Sequence, residues 1–120
     1  MARILLVDDD PDQLDIRRLL LETKGHTVHT APSATEAAGA AASCEPDVVV
    51  MDLRLPRLED GRLLIRRLRE SSVPLKIIVL SGSAAALSKL PEACLVDAVL
   101  AKPLRSETLL AEVSRVAGLA

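Results

Sequence analysis

A chain of 120 residues with an apolar fraction of 49% is long enough for one domain that buries about two thirds of its unfolded surface. Its net charge of −2 gives no electrostatic case for nucleic-acid binding, and the lack of Phe, Tyr and Trp removes base stacking and aromatic cages. No apolar run reaches the roughly 20 residues that span a bilayer, so no membrane partner is expected. The first apolar stretch runs straight into Asp8-Asp9-Asp10, unlike a signal peptide, and a cytoplasmic location is expected.

Strand-like and helix-like segments then alternate. Ile4-Leu5-Leu6-Val7 reads as a strand, and residues 12–24 as a helix. Ile16, Leu19, Leu20 and Thr23 form the helix's apolar face at i, i+3, i+4 and i+7, and Gly25 is its stop. Residues 27–30 are a short strand, and His26 and His29 have no spacing to a Cys pair that would suggest zinc. Ser33-Ala34-Thr35-Glu36 is a capping box opening an Ala-rich helix that runs to about Ser43 and is broken by Pro46. Val48-Val49-Val50-Met51 is continuously apolar, as a strand buried on both faces should be. A third helix carries Leu63, Leu64 and Leu68 amid Arg62, Arg66, Arg67 and Arg69, and the basic run over 54–69 reads as a solvated face.

Pro74 punctuates before the strand Ile77-Ile78-Val79-Leu80. Residues 84–90 form a short, weak helix stopped by Pro91, and 98–100 a brief fifth strand. Ser106 caps a last helix with Leu109, Leu110, Val113 and Val116 on one side. Cys44 and Cys94 lie far apart among small apolar residues and read as reduced structural thiols. The fivefold βα pattern predicts an α/β fold over 1–120, and right-handed crossovers leave few topologies; the expected one is a flavodoxin-like (βα)5 doubly wound parallel sheet of strand order 2-1-3-4-5.

That order places the polar residues that end the strands along one edge: Asp8 and Asp9, Asp52, Ser81 and Lys102. Two carboxylates about 5 Å apart repel by roughly 3 kcal/mol at an effective dielectric near 20, so three of them call for a cation. A hard divalent ion with oxygen ligands, Mg²⁺ above all, meets that need and takes phosphate oxygens as further ligands. Lys102 adds a positive charge, Ser81 a hydroxyl, and Gly82 leaves space for a tetrahedral group, which together suit phosphoryl transfer to a carboxylate.

Ile-Leu-Leu-Val-Asp8-Asp9-Asp10-Pro11, Val-Met-Asp52-Leu-Arg-Leu-Pro56, Val-Leu-Ser81-Gly82 and Ala-Lys102-Pro103 together resemble the receiver domain of bacterial two-component response regulators, over essentially the whole chain. A chemotaxis member of that family is a known example of the expected strand order. The resemblance implies that Asp52 is the phosphoacceptor, taking its phosphoryl group from a histidine kinase or phosphotransfer protein. It implies Mg²⁺ on Asp8, Asp9, Asp52 and the backbone carbonyl of Arg54, with Ser81, Gly82 and Lys102 on the phosphoryl oxygens. It also implies a cis peptide before Pro103, a downstream protein partner whose nature is open, and room for a homodimer through the fourth helix, fifth strand and fifth helix of the pattern.

The sequence departs from the family in several places. Val99 stands where an aromatic switch residue is usual, which puts the route of signal output in doubt. Between Pro56 and Gly61 there is one residue more than the usual pattern, and Leu95-Val96 replaces a common Gly-Ala. Arg54, two residues past the acceptor, is placed to screen the phosphoryl group. Two further readings compete. One is a haloacid-dehalogenase-like phosphatase using Asp8 and Asp10; the other is a receiver-fold interaction module without phosphorylation.

Overall fold

The computed structural model describes residues 2–71, 74–82 and 87–118. The five strands are β1 (Arg3–Val7), β2 (Thr27–Ala31), β3 (Val48–Asp52), β4 (Lys76–Ser81) and β5 (Ala98–Ala101). All pair in parallel in the order β2-β1-β3-β4-β5, the predicted doubly wound topology. The long helices are α1 (Pro11–Glu22), α2 (Ala34–Cys44), α3 (Leu58–Glu70) and α4 (Ser106–Val116), the last being the fifth helix of the expected pattern. A 3-10 turn, Pro91–Leu95, precedes β5. Of the predicted helix over 84–90, residues 84–86 lie outside those described, and Leu87 and Ser88 have helical backbone.

Each strand sends alternate residues to opposite faces, which splits the core in two. Leu5, Val7, Val49, Met51, Ile77 and Val79 pack under α2 and α3, whereas Ile4, Leu6, Val48, Val50, Ile78 and Leu80 pack under α1 and α4. With no aromatic ring available, aliphatic side chains fill both halves.

The local signals account for most helix ends. Ser33 accepts a hydrogen bond from the Glu36 N–H at 3.2 Å, and Glu45 closes α2 in the left-handed conformation. Gly25 adopts φ 89° after α1, where a side chain would be strained. At α4 the expectation fails. Ser106 is the first helical residue, and the capping position belongs to Arg105, whose side chain makes no capping bond.

Two apolar stripes are also corrected. Ile16 and Leu19 of α1 are 60% and 57% exposed, while Leu14 and Leu21 are buried. Leu14, Arg17 and Leu21 share the inner side at i, i+3 and i+7, so a charged residue interrupts the buried stripe and makes the outer one look stronger in sequence. In α3 the buried side is Gly61, Leu64, Ile65 and Leu68, and Leu63 faces outward.

The basic run over 54–69 is not simply a solvated face. Arg62 and Arg66 reach Glu92, at 2.7 and 3.4 Å, and Glu92 is almost completely buried. Arg69 donates to the carbonyls of Leu95 and Leu75 and to Asp97. These arginines pin α3 to the segment that leads into β5.

Candidate functional site

Parallel pairing brings β1 and β3 side by side, with Val7 opposite Met51, so the residues that follow or end them share one edge. Asp8, Asp9 and Asp52 each place a carboxylate oxygen within 4.8 Å of the others. Asp8 and Asp52 are buried, and Asp9 is exposed. Ser81 ends β4 and is buried, and Gly82 beside it is exposed and has open space where a Cβ would stand.

Lys102 follows β5, where its N–H donates to the Ser81 carbonyl at 2.9 Å. That bond ties the end of β5 to the end of β4. The Lys102 ammonium donates to both oxygens of Asp52, at 2.8 and 2.7 Å. The Lys102–Pro103 peptide is cis, as is Leu55–Pro56. Burial pushes the Asp52 carboxyl above its ordinary pKa; the Lys102 hydrogen bond opposes this shift, and the Asp8 charge adds to it.

One residue of the site escaped sequence reasoning. Arg17 of α1 donates to Asp8 Oδ2 at 2.7 Å, with a side chain only 12% exposed. The other oxygen, Oδ1, accepts from the Asp10 N–H at 2.9 Å. The available signal was position: Arg17 lies three residues after Leu14 and four before Leu21, on the side of α1 that turns inward.

Asp10 does not join the carboxylate cluster. Its side chain caps α1 by accepting from the Asp12 N–H at 3.0 Å. An Asp8/Asp10 catalytic pair therefore has no geometric support. Arg54 is exposed just past the end of β3. Val99 is half-buried and packs against the cluster that contains Leu87. Extending from the carboxylates is an open cleft of about 550 Å³, lined in part by Ile16, Arg17, Leu20 and Leu104.

Three oxygen donors from adjacent strand ends, one of them exposed, are a donor set that fits a hard divalent cation such as Mg²⁺. The fixed ammonium beside Asp52 suits an anionic group arriving at that carboxylate.

Many known proteins are similar to this chain in sequence or fold. A response regulator MprA from Mycolicibacterium vanbaalenii is 41% identical over 81 residues, which cover 68% of this chain and 35% of that relative. The match thus spans about a third of the relative's length. The chemotaxis response regulator CheY4 of Vibrio cholerae has a TM-score of 0.86 at 28% identity, covering 97% of this chain and 98% of that one. The response regulator TrrA of Thermotoga maritima, solved in complex with Mg²⁺-BeF, has a TM-score of 0.85 at 26% identity, covering 97% and 99%. Residues 4–114 match the family described as the response regulator receiver domain, and the chain belongs to that family of two-component systems.

Proposed function

We propose that this chain accepts a phosphoryl group on Asp52 from a phosphohistidine on a histidine kinase or phosphotransfer protein. The observation that carries the reading is the Asp52 carboxylate held between Lys102 and the Asp8–Asp9 pair. An Asp52 oxygen forms the new O–P bond as the N–P bond of the donor breaks, and the freed imidazole takes up a proton. Lys102 turns from Asp52 to a phosphoryl oxygen, while Ser81 and the open backbone at Gly82 receive the others. Asp8, Asp9, Asp52 and the Arg54 carbonyl would hold Mg²⁺, which would supply charge neutralisation for the phosphoryl oxygens. To Arg54, exposed and two residues past the acceptor, the reading assigns the screening of the product from water.

Exposed Ile16 and half-buried Leu20 of α1 border the cleft and offer apolar surface to the donor protein. On this reading residues 1–120 act as one cytoplasmic receiver unit, passing the signal to a downstream protein and not to nucleic acid. Its only catalysis is its own phosphorylation and dephosphorylation.

Intact mass after incubation with a small phosphodonor and Mg²⁺ tests the reading. One acid-stable, base-labile phosphoryl group is expected on the wild type and none on Asp52→Asn. Addition that survives Asp52→Asn but is lost in Asp8→Asn would favour the phosphatase reading. No addition with any donor would leave an unphosphorylated interaction module.

A further inference from the structure

We propose that Arg17 is a resident counter-ion of the acid pocket, a tethered cation that a divalent metal must displace from Asp8. The proposal rests on the receiver reading of the site and adds a residue of this chain to the control of its metal. Arg17 reaches inward from α1 between Leu14 and Leu21, and its guanidinium sits 2.7 Å from Asp8 Oδ2. With Oδ1 bonded to the Asp10 N–H, both oxygens of Asp8 are engaged. Both oxygens of Asp52 are engaged by Lys102. Among the described residues, Asp9 alone of the three has no hydrogen bond or ion pair, and it is exposed.

Charge decides the outcome. Three carboxylates facing Lys102 alone would leave a formal charge of −2, the sum of −3 and +1, and Arg17 reduces it to −1. Arg17 thereby removes part of the attraction that draws a divalent ion in, and it occupies an oxygen that the ion or its bound water needs. A guanidinium and a divalent cation on one carboxylate repel each other in a partly buried site, where screening is weak. Arg17 also lines the open cleft, which gives its side chain somewhere to go. Metal binding and release of Arg17 from Asp8 are therefore one equilibrium, and the protein takes up metal only above a raised threshold concentration.

Calorimetric titration with Mg²⁺ suits a chain that has no aromatic fluorophore. Arg17→Met keeps the aliphatic stem and removes the charge, and it is expected to bind Mg²⁺ at least about tenfold more tightly than wild type. Arg17→Lys, which restores a cation, should return the affinity towards wild type. The melting temperature of Arg17→Met should fall without metal and rise more steeply with added Mg²⁺ than that of wild type. Should Arg17→Met be unfolded without metal, the Mg²⁺ concentration that restores its helical circular dichroism reads the same affinity. Equal or weaker Mg²⁺ binding by Arg17→Met, with wild type binding normally, overturns the counter-ion role and leaves the receiver reading intact. Absence of Mg²⁺ binding by wild type and variants alike sinks both.

Discussion

His26 illustrates how burial converts an ordinary side chain into a pH-dependent one. It lies just before β2, 6% exposed, and its Nδ1 accepts the Ala2 N–H at 3.3 Å, which requires that nitrogen to be unprotonated. Burial lowers its pKa from the ordinary 6.5. The folded state thus binds fewer protons than the unfolded state as pH falls through this region, so the stability it contributes is full above pH 6.5 and declines below it. Replacing His26 with Gln should flatten that part of the profile. Urea midpoints of wild type and variant, measured from about pH 7.5 to 5, should converge as pH falls; a constant gap would show that His26 does not titrate differently on folding. The site residues show a similar contrast between identity and setting. Asp8, Asp9, Asp52, Ser81, Gly82 and Lys102 were recognisable because each follows or ends an apolar run. Arg17 was not, because its role depends on the rotation of α1, which two competing apolar stripes leave ambiguous.

Helix α3 shows the same limit at the scale of an element. Its position depends on Gly61, where an added Cβ would lie 1.7 Å from the Leu53 carbonyl oxygen. Gly61→Ala must therefore push α3 away from the end of β3, at a cost of about 2 kcal/mol or more. Gly39 in α2 has nothing within 4 Å of its Cβ position, so Gly39→Ala should stabilise by about 0.5–1 kcal/mol. Chemical denaturation of the two variants makes the comparison, and similar midpoints would argue against the close contact at Gly61. The arginines of α3 add a second lesson. Hydrogen bonding to Arg62 holds the Glu92 carboxyl below the usual carboxylate range, so this pair contributes stability at neutral pH that is lost as pH falls through the lowered value. In sequence the same arginines look like a solvated face, because Glu92 lies 30 residues from Arg62.

For the whole molecule, the sheet is the common wall of two aliphatic half-cores, and neither half is complete without it. Leu5, fully buried on the α2–α3 side, sits on the central pair β1–β3. Leu5→Ala should cost about 2–5 kcal/mol, with an unchanged urea m-value if folding remains a single transition. A lowered m-value would instead mean that the two half-cores come apart separately. Among the described residues, no helix is long and apolar enough to cross a membrane.

The sequence by itself determined the strand order and the set of polar residues brought to its edge. Both are legible because apolar runs of strand length, the breakers between them and right-handed crossovers leave few topologies, and the motifs at the strand ends resemble those of receiver domains. Tertiary structure alone decided which side of α1 faces the sheet, which arginines are clamps, and that the acid cluster carries a second internal cation. Those depend on contacts between residues distant in sequence or on a rotation of a few tens of degrees, and a pattern of residue types does not encode either.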